Sequence, residues 1–153
     1  MKLTYAHLLI AVVALGAIFM TTKQKAKGLR NNNPLNIERG ENWQGAVGDD
    51  GRFVIFETAK HGLRAAGRIL RTYSNEYGIK SINTIIARWA PPSENDTENY
   101  IQFVSQKTGI EPSKQLAPND YAPVVAAMIH MENGSQPYDM QLIKEGVEWG
   151  LYG

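Results

Sequence analysis

The chain has 153 residues and a mass of 17.0 kDa, 43% hydrophobic and 20% charged, which suits one folded domain and excludes two of typical size or a largely disordered chain. It contains no cysteine, so a disulfide scaffold, a thiol nucleophile and cysteine-bound zinc or iron–sulfur are excluded. The net charge of +1 conceals an asymmetry: residues 1–37 carry five bases and no acid, whereas residues 38–153 carry 11 bases against 15 acids, a mildly acidic body that argues against nucleic acid as a partner.

Taken in chain order, the first element is apolar. No formal charge lies between Lys2 and Lys23, and Leu8–Met20 is an unbroken apolar run. A helix of that length spans about 30 Å, the thickness of a bilayer core. We therefore expect residues 1–22 to form a single transmembrane helix, contacting lipid through residues 3–22, in preference to a signal peptide cleaved near Ala14-Leu15-Gly16. Lys23, Lys25, Lys27 and Arg30 follow it as a basic linker over residues 23–30; by the positive-inside rule they would hold the body on the cytoplasmic side. The expected location is a membrane, with a single-pass N-terminal anchor.

Residues 31–153 then read as one domain. Asn36–Phe56 is rich in glycine, and Asp49-Asp50-Gly51 is a turn signal ahead of the strand-like Phe53-Val54-Ile55-Phe56, so a small β-hairpin is predicted. A helical turn starting at Pro34 would lead into it. Everything beyond the hairpin reads helical. Thr58 caps a helix with Leu63, Ala66, Leu70 and Tyr73 on one face, and Ser81 opens a second, through Trp89, that Pro91-Pro92 must end. Asn95, Asp96 or Thr97 caps a third that stops near Gly109. A fourth runs from about Asp120 to Asn133-Gly134, and the last follows Asp139. One hairpin and about five helices predict an α+β, mostly helical domain.

Three stretches carry a resemblance: Gly28-Leu29-Arg30-Asn31-Asn32-Asn33-Pro34-Leu35-Asn36-Ile37 with Trp43-Gln44-Gly45; Phe53-Val54-Ile55-Phe56 with Gly62-Leu63-Arg64-Ala65; and Trp89-Ala90-Pro91-Pro92-Ser93-Glu94-Asn95-Asp96-Thr97 with Tyr100. Together they resemble phage virion-associated peptidoglycan-degrading proteins of lysozyme and lytic transglycosylase type. Their order is also similar to the back half of flagellar-type N-acetylglucosaminidases. The resemblance covers roughly residues 28–110. It implies a lysozyme-like fold and cleavage of peptidoglycan glycan strands by a membrane-anchored phage enzyme during genome delivery, in a virion membrane or the host envelope. Peptidoglycan and other virion proteins would be its partners. One departure matters. Those glucosaminidases carry their acid on a helix before the Asn-rich segment, and here no Asp or Glu precedes Glu38.

Glycosidic cleavage needs a carboxylic acid kept protonated by burial, and a hydrolase adds a second carboxylate. Glu38, at the junction into the hairpin, is the first candidate acid, against a solvated charge paired with Arg39. Glu41 is the runner-up, and its spacing to Asp50 resembles that of phage lysozymes. Asp50 would be the assisting carboxylate, against plain turn chemistry. Trp43, in a polar glycine-rich stretch, fits a sugar-stacking platform. Asn95 or Asp96 would bond an N-acetyl group and Tyr100 would stack or donate its hydroxyl, with Asp96 alternatively an N-cap and Trp89 a core residue. Asn31-Asn32-Asn33 reads as loop chemistry. No cofactor is implied, and the scattered His7, His61 and His130 give no metal-ligand spacing. The alternative function is a non-catalytic virion structural or peptidoglycan-binding protein of the same fold, and a weaker third is a peptidase on the stem peptides.

Overall fold

A computed structural model describes residues 24–153. The domain begins inside the segment expected as linker: Lys27–Arg30 forms one helical turn, α1, with Gly28 buried against a later helix. Two short antiparallel strands follow, β1 (Ala46–Asp49) and β2 (Val54–Phe56). Ala46 pairs with Phe56 and Asp49 with Val54, with a bulge between Ala46 and Gly48. Successive side chains of a strand face opposite ways, so Val54 and Phe56 enter the core together while all of β1 stays exposed.

The helices fall where their caps place them. α2 (Ala59–Tyr77) starts at Thr58, whose Oγ1 accepts from the His61 N–H at 3.2 Å, and ends on left-handed Gly78. α3 (Ile82–Trp89) buries Ile82, Ile85 and Ile86 and stops before Pro91-Pro92. α4 (Thr97–Thr108) is capped by Asp96, accepting from Asn99 N–H at 3.1 Å. A 3₁₀ turn at Pro118–Asp120 leads into α5 (Tyr121–Asn133), and α6 (Met140–Tyr152) follows Asp139.

α5 is the hub. Val124, Val125, Met128 and Ile129 are fully buried, and α1, α4 and α6 all touch it. Each buried side chain of that size contributes about 1.5–3 kcal/mol. α2 and α6 lie closest of any helix pair, meeting through Gly67, Gly146 and Gly150. A Cβ at Gly150 would run into the Arg64 carbonyl oxygen and the Arg68 nitrogen.

The hairpin is fastened to this helical body by the three asparagines that read as loop. Asn33, fully buried, donates to the Ile37 and Val54 carbonyls, both at 2.9 Å, and accepts from the Ile37 N–H at 2.9 Å. Asn32 donates to the Phe56 carbonyl and Asn31 to Asp50 Oδ2. Asn32 and Asn36 take the left-handed conformation, at φ 51° and 54°, which asparagine tolerates better than most residues. That twist is why the expected helical turn from Pro34 does not form.

Two expectations are corrected. The α+β, mostly helical domain is there, but among the described residues no helix is long and apolar enough to cross a membrane. The span expected over residues 1–22 lies outside the described residues, and among those described nothing supports a membrane location through a single-pass anchor.

Candidate functional site

Between the hairpin segment and the helices runs an open cleft of about 1040 Å³. Leu35–Glu41, Trp43 and Phe53 form one bank. Ile69 and Tyr73 of α2, Trp89 at the end of α3 and the Pro91–Asn95 loop form the other. Four aromatic rings therefore reach it, Trp43, Phe53, Tyr73 and Trp89, each half-buried; Tyr73 and Trp89 meet edge to face at 6.3 Å. Flat aromatic faces between amide side chains are what a groove for sugar rings requires.

Of the four acids lining this cleft, three stand exposed on its rim. Glu38 has 60% of its side chain exposed and pairs with Arg52 at 2.8 Å; Glu41 and Glu94 are exposed too. The fourth is Glu132, half-buried on the α5 hub. Tyr100 Oη donates to its Oε1 at 3.2 Å and Asn36 Nδ2 to its Oε2 at 3.3 Å. Burial pushes the Glu132 carboxyl above the ordinary 4.5, and the two hydrogen bonds, which favour the carboxylate, do not cancel it. Burial, and next the Glu132 charge, lift the Tyr100 phenol well above 10, so it stays a donor.

The proposed residues thus separate. Glu38 and Glu41 reach the cleft but lack the desolvation that keeps an acid protonated. Asp50 does not line it. At the exposed hairpin tip its Oδ1 accepts from the Phe53 and Arg52 N–H groups at 2.8 and 3.0 Å, its Oδ2 from Asn31 at 3.0 Å, and Lys27 is 3.8 Å away. Those donors hold its carboxyl at about 2, so it is a charged turn element. Trp43 does line the cleft, its indole N–H buried without a protein acceptor. Asn95 lines it too, with Nδ2 donating to the Pro91 carbonyl at 3.2 Å. Asp96 is occupied as the α4 cap. Tyr100 is buried beneath the cleft, outside its lining, and donates to Glu132.

Glu132 lay beyond the resemblance and went unnoticed, although one signal was present. It is the only acid in α5, whose neighbours Val124–Ile129 are apolar. An acid in so apolar a helix is either strained or functional. Among the described residues no three His, Asp or Glu side chains gather as metal ligands.

No protein-family model matches the sequence. It is 52% identical to Protein P5 of Pseudoalteromonas phage PM2 over 157 aligned positions, covering 97% of this chain and 98% of the relative. The chain belongs to that phage protein's family. Its phage affiliation follows from this match, and the name Protein P5 specifies no activity.

Proposed function

We propose that this protein cleaves the glycan strands of peptidoglycan, with Glu132 as the general acid. One observation carries the reading: the one shielded carboxyl among the described cleft residues has its proton affinity raised by burial, and it stands where four aromatic rings face an open trench. A phage has the bacterial wall as the polysaccharide at hand. Protonated Glu132 gives its proton to the leaving glycosidic oxygen as the bond to the anomeric carbon breaks. No second shielded carboxylate lines the cleft to activate water, which favours closure by the substrate's own 6-hydroxyl onto that carbon. The hydroxyl proton then returns to Glu132, leaving an anhydro sugar end and the enzyme unchanged.

The test incubates the full chain with purified peptidoglycan and analyses the products by mass spectrometry. Anhydro-muropeptides, lost in Glu132→Gln, are expected. Folded wild-type protein that releases neither anhydro nor reducing sugar ends would sink the proposal, as would free amines from a peptidase.

A second reading has its own observation. Both Glu132 oxygens are held by donors from separate elements, Asn36 and Tyr100, as in a structural clamp. A peptidoglycan-binding protein without catalysis would bind sacculi equally well with Glu132 or Gln at this position and cut them with neither.

A further inference from the structure

The cleft does not end at Trp43. Across the wall made by Trp43, Ile69 and Tyr73 a second groove, of about 620 Å³, opens alongside it. Arg64, Arg68 and Arg71 line this groove, recurring every three or four residues down one face of α2, and Arg88 joins them from α3. Glu41, at the shared rim, is the one acid among its lining residues.

These guanidiniums differ from six other bases of the domain. Lys27, Arg39, Arg52, Lys60, Lys114 and Lys144 each face a carboxylate. Among the described residues none of the four groove arginines pairs with an Asp or Glu side chain, although Arg71 Nη1 donates to the Gly153 oxygen at 3.3 Å. Arg64 Nε is buried with no acceptor at all. Arg88 lies over the Tyr77 and Tyr73 rings, at 4.3 and 5.3 Å, which fixes its plane. A stacked guanidinium keeps its N–H edge for an in-plane acceptor such as a carboxylate. Four like charges without an acidic side chain to pair with repel one another, and an arrangement of that kind is relieved by an anion.

We propose that this groove binds the carboxylates of the peptide branches that hang from the glycan strand, so that the protein selects peptide-bearing over bare polysaccharide. This rests on the cleavage reading for the identity of the strand, but the anion site is a separate claim. A strand lying in the cleft projects its peptides sideways, and the groove opens sideways from the same aromatic wall. Asn42, Gln44 and Thr72 add amide and hydroxyl partners for peptide groups. The acidic remainder of the body works against a phosphate polymer.

The test uses the full chain carrying Glu132→Gln, so that ligands survive, and measures binding by calorimetry. The ligands are a disaccharide-pentapeptide with free carboxylates, its amidated form and the peptide-free disaccharide. The free-carboxylate ligand is expected to bind at least about tenfold tighter than either of the others, with the gap narrowing as salt rises. The further change Arg68→Gln with Arg71→Gln should bring it down to the level of the bare disaccharide. Arg88→Lys, which keeps the charge and the fold but loses the fork, should lose part of the preference. Equal affinity for all three ligands overturns the proposal, as does tighter binding of a single-stranded oligonucleotide. Should the wild-type chain cut no glycan while the carboxylate preference persists, the cleavage reading falls and the anion site stands.

Discussion

The hairpin and the α5 hub hold acids of opposite character. At the exposed hairpin tip, Asp50 is wrapped by N–H donors that hold its carboxyl at about 2, well under the usual 3.8. On the hub, burial pushes Glu132 the other way, above 4.5, despite two donors of its own. Hydrogen bonds prevail at Asp50 and exclusion of water prevails at Glu132, so the two carboxyls shift in opposite directions. The Asp50 carboxyl at the hairpin tip is shifted in the wrong sense for proton donation, whereas Glu132 on the apolar helix is shifted in the sense the proposed role requires.

Substitutions sharpen this contrast. The largest expected effect is on turnover: Glu132→Gln lowers glycan cleavage by about a thousandfold, whereas Asp50→Asn leaves it within a few-fold, measured as anhydro-muropeptide release. At neutral pH Glu132→Gln leaves the fold as stable or more so, since ionising a shielded carboxyl costs stability as pH rises past 4.5. Next comes Asn33→Ala, which removes three buried hydrogen bonds and strands their partners. A loss of about 3 kcal/mol in denaturant unfolding is expected, with hydrogen exchange fastest across β1 and β2.

Tyr100→Phe is milder, costing about 1 kcal/mol of stability. Its diagnostic is the pH profile of cleavage. The Tyr100 hydroxyl favours ionised Glu132, so removing it raises the Glu132 proton affinity and moves the alkaline limb of activity to higher pH. A limb that moves down would show that the two groups do not interact as described. The smallest effect belongs to Asp50→Asn in acid. Ionised Asp50 contributes stability in full above its unfolded value of 3.8, and the contribution fades as pH falls toward about 2. The variant should lack that portion of the acid-induced fall in Tm and match wild type less closely at pH 7 than at pH 2.

Local chemistry made most of the fold legible. Thr58 and Asp96 cap the helices they were expected to cap, Gly78, Gly109 and Gly134 end theirs in the left-handed conformation, and Pro91-Pro92 closes α3. These signals act within four residues, so a sequence displays them. Of the residues singled out from the sequence, Trp43 and Asn95 line the cleft and Tyr100 lies beneath it. Glu132 was not legible, because its proton affinity is raised by burial among distant segments, with Asn36, 96 positions earlier, and Tyr100, 32 earlier, bonded to it. Burial by distant segments leaves no trace in local spacing. The asparagine triplet misled for the same reason, its partners being strand carbonyls some 20 residues on.

The glycine seam between α2 and α6 reaches further than helix contact. α2 carries Ile69 and Tyr73 of the trench and three of the four arginines of the neighbouring groove on one rigid rod, whose back rests on Gly146 and Gly150. One methyl group added at position 150 would wedge that rod outward and swing both walls together relative to Glu132. Drift at this remote joint would retune the spacing between the aromatic wall, the arginine groove and Glu132 without altering any side chain in them.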